Sequence, residues 1–285
     1  MNQRNRGYKR LLFGTAGVPI STPKKGSIEG IKYLKELGLD AMEMEFVRGV
    51  KMKEDLAKEI NIIRQREGKE LTAHGPYYIN LNSKKPDTIA KSRERIVRTA
   101  RIAHYCGAKS ITFHAAYFQN MDKEKVYEKV KEELRKIIKE LKDEGIEDVW
   151  IRPELTGKPS QFGDVDELIR LSQEVEGVLP CIDFSHKFAR EKGEFNSKED
   201  FSGLLKQLEK GLGKEILSNM HCHISGIAYG PKGEKNHLNL KESELNIKAL
   251  LQSLKDFDCK GVVICESPNI EEDARYMKDM FYSLV

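Results

Sequence analysis

Histidines and carboxylates carry the chemistry that can be read from this chain. His74 closes the apolar run in ELTAHGPYYINLNS, His114 the run in SITFHAAYF, and Glu154 the run in VWIRPELTG. Asp183 closes PCIDFSH, with His186 three residues later. His223 closes the run in NMHCHISG, His237 lies in the segment after it, and Glu266 closes VVICESPN. Imidazole nitrogens and carboxylate oxygens are donors that suit zinc, and manganese and iron accept them as well. Any one of these histidines taken alone reads more simply as a hydrogen-bonded core or loop residue. The set is different, because its members recur at one kind of place, the end of an apolar run. Gathered in a small volume they would be electrostatically poor without a cation to organise them. Carboxylates shared between neighbouring ions would let one centre hold two or three.

Other polar residues have competing explanations. His221 and His223 are separated by Cys222, so in a strand they share a face; the later one is expected to reach a rim and His221 to stay interior. His104 falls near a helix end and reads as structural. Glu43 and Glu45 also share a strand face and either line a cleft or pair with a base such as Arg48. Tyr77 and Tyr78 either pack in a wall or project as a stacking platform of the kind that engages a distorted duplex or an exposed base. The five cysteines are scattered and mostly inside apolar runs, with no C-x-x-C pair. They read as reduced, buried residues of a cytoplasmic protein, not as metal anchors.

The elements that must position these residues follow from periodicity. Strands are predicted at 10–14, 41–46, 71–74, 110–114, 149–153, 179–183, 220–224 and 261–265, at roughly 30–40-residue intervals, the length of a strand-plus-helix unit. Helical patterns fill the gaps: 28–37, capped by Ser27; 54–66; 88–105, stopped by Cys106-Gly107; 123–143; 165–175, capped by Asp164; 198–211; 246–257; and 270–282. The longest loops are expected at 187–196 and 226–239. Eight strands alternating with helices predict a parallel α/β sheet, and closure into a (β/α)8 TIM barrel, one domain over 1–285, is the simplest arrangement. Catalytic residues of such barrels sit at the carboxyl ends of the strands, where the polar set falls. No G-x-G-x-x-G opens the first helix, which argues against a dinucleotide fold. No run of ~18 apolar residues predicts a membrane span, and the basic N-terminus lacks the apolar core of a secretory signal. The balance of 49 basic and 45 acidic residues, net +4, neither demands nor excludes a nucleic-acid partner.

The whole pattern, from FGTAG to CESPN, resembles the endonuclease IV family of apurinic/apyrimidinic endonucleases, part of a wider group of barrels with sugar isomerases and epimerases. The most specific pieces are HGPYYINLNS, PELTG, DFSH, HIS and the terminal CES. The resemblance implies a trinuclear zinc centre. His74, His114 and Glu154 would hold the first ion. Glu154, Asp183, His223 and Glu266 would hold the second, with Glu154 bridging, and His186 and His237 the third. It implies Glu154, Asp183 and Glu266 as the catalytic carboxylates, Tyr77, Tyr78 and Arg48 as DNA contacts, and duplex DNA bearing an abasic site as the partner, cut 5′ of the lesion. The sequence departs from the family at the third ion: Lys235-Asn236-His237 stands where the family has D-x-H, and Glu234 is out of register. Ser225-Gly226 replaces the usual N-D, and Gly14-Thr15-Ala16 stands where a histidine is frequent. The alternative within the same group is a ketose 3-epimerase. It would use Glu154, Asp183, His223 and Glu266 around one metal, with a sugar as substrate and two glutamates moving the proton.

Overall fold

The computed structural model describes residues 7–284. In chain order the elements are β1 (Leu11–Ala16), α1 (Ser27–Tyr33), β2 (Ala41–Glu45), α2 (Glu54–Glu67), β3 (Glu70–His74), α3 (Pro86–Cys106), β4 (Ser110–Phe113), α4 (Lys123–Asp143), β5 (Trp150–Pro153) and α5 (Val165–Glu174). They continue with β6 (Ile182–Asp183), α6 (Phe184–Arg190), α7 (Lys198–Leu212), β7 (Met220–Ile224), β8 (Gly226–Gly230), β9 (Gly233–Leu238), α8 (Ile247–Asp256), β10 (Gly261–Cys265) and α9 (Glu271–Ser283). Eight strands form one sheet in the order β5-β4-β3-β2-β1-β10-β7-β6, and β8 pairs with β9 in a separate antiparallel hairpin. The alternation of parallel strands and helices is that of a TIM barrel.

Contacts cluster into two compact units. One comprises Glu43–Leu155 and Ser160–Pro180 and holds β3, β4 and β5. Its strands are buried on both faces, as parallel strands covered by helices must be, with Leu71, Ala73, Ile111, Phe113 and Ile151 fully enclosed. The helices start where local chemistry supplies a partner for their free N–H groups. Asp122 caps α4 by accepting from the Lys125 N–H, and Asp164 and Glu167 form a reciprocal capping box on α5. Pro86 stands in the first turn of α3, where its missing N–H is harmless.

The other unit comprises 7–42, 156–159 and 181–284, with β1, β6, β7, β10 and the hairpin. Phe13, Cys222, Val262, Val263 and Ile264 fill its interior, closed by Ala274 and Met277 of α9. Gly14 lets β1 run against β2, since a Cβ there would collide with the Ala41 carbonyl.

Several boundaries differ from the sequence expectation. Ser27 does not cap α1: it is the first helical residue, Gly26 holds the cap position, and no side chain accepts there. That helix also ends early, at Tyr33, and the chain continues in turns, with Lys35 N–H on Lys32 O and Leu39 N–H on Leu34 O. The sixth strand is regular only at Ile182–Asp183, since Pro180 has no N–H to give a ladder. Residues 187–190 of the expected loop at 187–196 are helix, and nearly all of 226–239 is the β8–β9 hairpin.

Candidate metal centre

Strand register places the first group. Phe113 is level with Pro153 in the β4–β5 ladder, so the next residues, His114 and Glu154, leave the sheet side by side. His74 is the last residue of β3 and is paired with Thr112. His74 Nε2 lies 3.3 Å from Glu154 Oε2, and His114 Nε2 lies 3.4 Å from Glu154 Oε1. Donor atoms of the three lie within 4.8 Å of one another. His74 Nδ1 is 2.7 Å from the Gly75 carbonyl, which can only accept, so Nδ1–H donates and Nε2 is turned to the carboxylate. Burial by itself would lower the His74 pKa. The hydrogen bond with Glu154 and the charges of Glu45, Glu154 and Glu43 outweigh burial and push it up to about 10. Glu43 is fully buried and its Oε2 accepts from the Thr72 hydroxyl at 2.7 Å. Glu43 and Glu45 thus act on His74, while Arg48, their suggested partner, is exposed.

Register places the second set equally directly. Asp183 pairs with His223 across β6–β7, and His223 with Ile264 across β7–β10, so Glu266 emerges just beyond the strand end. His223 Nδ1 is 3.3 Å from Glu266 Oε1, and donor atoms of Asp183, His223 and Glu266 lie within 4.8 Å of one another. Asp183 also caps α6, accepting the His186 N–H at 2.6 Å, and its Oδ2 is 3.1 Å from His186 Nδ1. His186 faces outward to a third group: its Nε2 is 3.6 Å from Glu234 Oε2, and His186, Glu234 and His237 also bring donor atoms within 4.8 Å. His237 Nδ1 is 3.0 Å from the Glu266 carbonyl, which again fixes Nδ1–H as donor and leaves Nε2 for a ligand.

A family described as xylose isomerase-like TIM barrel matches residues 31–283. The chain belongs to the xylose isomerase-like TIM barrel family. One relative, the uncharacterized protein MJ0133 of Methanocaldococcus jannaschii, is 45% identical over 266 residues, which is 93% of this chain and 94% of that one. A probable endonuclease 4 of Bacillus subtilis (strain 168) is 29% identical over 222 residues, 73% of this chain and 70% of that one. Among solved structures, endonuclease IV from Thermus thermophilus superposes with a TM-score of 0.71 at 20% identity, covering 96% of this chain and 98% of that one. A D-tagatose 3-epimerase-like protein superposes with the same TM-score at 18% identity, covering 95% and 96%. The last two likenesses concern the barrel of the family and no more.

Within this family fold, two sequence expectations need correction. Glu234 is not out of register: the structure groups it with His186 and His237. Positions 234 and 237 would face opposite ways on a regular strand, but the β8–β9 ladder pairs Tyr229 with Glu234 and Ala228 with Asn236. Lys235 is therefore the extra residue of a β-bulge, and the bulge restores a common face. Cysteine is not wholly apart from the donor groups, because Cys181 brings its sulfur within 4.8 Å of donor atoms of His221 and His223. Other residues stand as expected. His221 is interior, 1% exposed, with its ring 5.1 Å from that of His223. His104 is bonded through Nδ1 to Asp148 at 2.7 Å, which raises its pKa. Glu234 could have been found from sequence only by noticing that the Gly230-Pro231-Lys232-Gly233 turn makes a hairpin whose arms must then be aligned.

The three residues expected at DNA lie together on the first unit. Tyr77 and Tyr78 are 64% and 61% exposed. The Tyr77 N–H donates to the Val47 carbonyl, which ties its loop to the one carrying exposed Arg48. The Tyr77 ring stands edge-on to His74 at 5.8 Å, so this exposed pair adjoins the first donor group. Among the described residues, no helix is long and apolar enough to cross a membrane.

Proposed function

We propose that this protein is a divalent-metal-dependent phosphodiesterase of the endonuclease IV type, cutting DNA 5′ of abasic sites, with zinc as the favoured ion and manganese as a substitute. The observation that carries the reading is the presence of two histidine–carboxylate groups, His74–His114–Glu154 and His186–Glu234–His237, in addition to Asp183, His223 and Glu266. The donor chemistry fits such ions. Imidazoles are held by carbonyl or carboxylate acceptors on one nitrogen, with the other turned to a carboxylate or left for a ligand.

In this reading His74, His114 and Glu154 would hold one ion, Asp183, His223 and Glu266 a second, and the hairpin group a third. Held by these residues, such ions would lower the pKa of a water and offset charge on the phosphate and the departing 3′-oxygen. The protein's own contribution is orientation. Glu154 is fixed between two imidazoles, and Asp183 is fixed by the α6 N-terminus, so neither carboxylate has to reorganise during the reaction. Exposed Tyr77 and Tyr78 offer ring faces to a lesion whose lost base has already weakened stacking, and Arg48 offers a cation to the backbone.

The epimerase reading needs only Glu154, Asp183, His223 and Glu266, and the fold likeness to a D-tagatose 3-epimerase-like protein supports it as the second choice. It leaves His74, His114, His186 and His237 without a task. The deciding experiment incubates metal-loaded protein with an oligonucleotide bearing one tetrahydrofuran abasic mimic. Incision immediately 5′ of the mimic is expected. Intact substrate with zinc, manganese and cobalt in turn, from a protein that remains folded, overturns the proposal, and interconversion of ketohexoses by the same preparation would put the epimerase in its place.

A further inference from the structure

The hairpin group has a feature that the sequence pattern hides. Where the endonuclease IV pattern sets an aspartate two residues before the histidine, this chain has Lys235, and a cation there would repel a metal ion. The bulge disposes of it. Lys235 is exposed, and its stem runs beside Gly230: a Cβ on Gly230 would stand 2.7 Å from Lys235 Cε. Glu234 takes the inward position instead. Its N–H donates to the Gly157 carbonyl at 2.9 Å, and its side chain lies against Gly157 and beside His186. Gly233, with φ of 91° and a Cβ position that would collide with the Gly157 carbonyl, lets the strand approach closely enough for that bond.

We infer that Glu234, brought inward by the bulge at Lys235, is the carboxylate ligand of a divalent metal site completed by His186 and His237. The inference deepens the proposed function by supplying the third ion's missing ligand. Two imidazoles and one carboxylate make a donor set for zinc, manganese or ferrous iron, and both imidazoles already have Nδ1 engaged by Asp183 and by the Glu266 carbonyl. The gap between His186 Nε2 and Glu234 Oε2, 3.6 Å, is too long for a good hydrogen bond, yet both atoms bind a common ion without large movement.

The test is a metal count on the full chain. Protein stripped with a chelator, reloaded with zinc and desalted is assayed for zinc per chain, and zinc affinity is measured by competition with a chromophoric chelator. Glu234→Gln should hold one ion fewer than wild type, or hold it at least ~100-fold more weakly, with unchanged melting of the metal-free protein. Lys235→Ala should match wild type. The double variant Glu234→Gln with Lys235→Asp should not recover the ion, because position 235 points toward Gly230. Should Glu234→Gln fail to fold, Glu234→Asp, which withdraws the carboxylate by one methylene, carries the same expectation of weaker zinc. Wild-type stoichiometry and affinity in the Glu234 variants, or recovery by aspartate at 235, would overturn the inference. Abasic-site incision is measured on the same samples. A wild-type protein that binds this ion and cuts nothing would refute the phosphodiesterase reading and leave the site standing.

Discussion

Nε2 of His74 is 3.3 Å from Oε2 of Glu154 while its Nδ1 is 2.7 Å from the Gly75 carbonyl, so both ring nitrogens face acceptors. Without metal the ring is therefore an imidazolium at neutral pH, with its pKa pushed up to about 10 by Glu154, Glu45 and Glu43 against the opposing effect of burial. A metal ion needs the lone pair that this proton occupies. Zinc binding at pH 7 should release about one proton from His74, and affinity at this group should rise with pH toward 10. Calorimetry in two buffers of different ionisation enthalpy measures the proton, and His74→Asn should remove it. The same raised pKa gives the metal-free protein stability that is complete below 6.5 and fades as pH climbs through about 10.

Glu154 sits between two imidazoles and is 1% exposed. Glu154→Gln keeps the shape and removes the charge. Incision at the abasic mimic should fall by at least ~100-fold. Circular dichroism and melting should report a folded protein. Unchanged incision would end the role assigned to this carboxylate.

Tyr77 and Tyr78 are anchored at their backbones and exposed at their rings. Replacing either with alanine should leave the melting temperature nearly unchanged and weaken binding to abasic duplex by ~1–3 kcal/mol, roughly 5- to 150-fold. Fluorescence anisotropy on duplexes with and without the lesion gives the comparison, and the loss should be larger for the lesion.

Gly157 is where the hairpin meets the segment after β5. A methyl group there would stand 2.6 Å from Glu234 Cβ and 3.1 Å from His186 Cδ2. Gly157→Ala should push the hairpin outward, destabilise by ~1–3 kcal/mol as overpacking does, and lower zinc content more than any substitution on the exposed face of β9. Urea melts and metal counts follow the two effects separately.

Asp40 ties α9 to β1. Its carboxylate accepts from Lys278 Nζ at 2.8 Å, Arg10 Nη2 at 2.8 Å and the Phe13 N–H at 3.1 Å. Burial would raise its pKa, but these donors outweigh burial and hold it below the usual carboxylate range. A depressed carboxylate pKa contributes stability that is present above the unfolded value of ~4 and is lost as pH falls through the folded value. Asp40→Asn should cost about 1–3 kcal/mol at pH 7 and much less near pH 2, measured by denaturant melts at both.

Most of the fold was legible because parallel strands covered by helices must be apolar on both faces. That requirement makes a run such as Gly261–Cys265 visible without any partner in view. Caps were legible where the side chain itself makes the bond, as at Asp164, and failed at Ser27, where Gly26 takes the position. Of the donor groups, His74, His114 and Glu154 could be named because each ends an apolar run, and the ladder then sets them side by side. The hairpin residues could not be ordered in the same way. Gly226–Gly230 is glycine-rich and Gly233–Leu238 is polar, and which residue of a strand faces inward is decided by its partner's register.

The sequence by itself determined the alternation of strands and helices, and it determined that histidines and carboxylates stand where strands end, because composition and period are local properties. Only the tertiary structure decided that Lys235 turns away and Glu234 turns in. A bulge is a mismatch between two strands, and neither strand alone contains the information that one residue is left over.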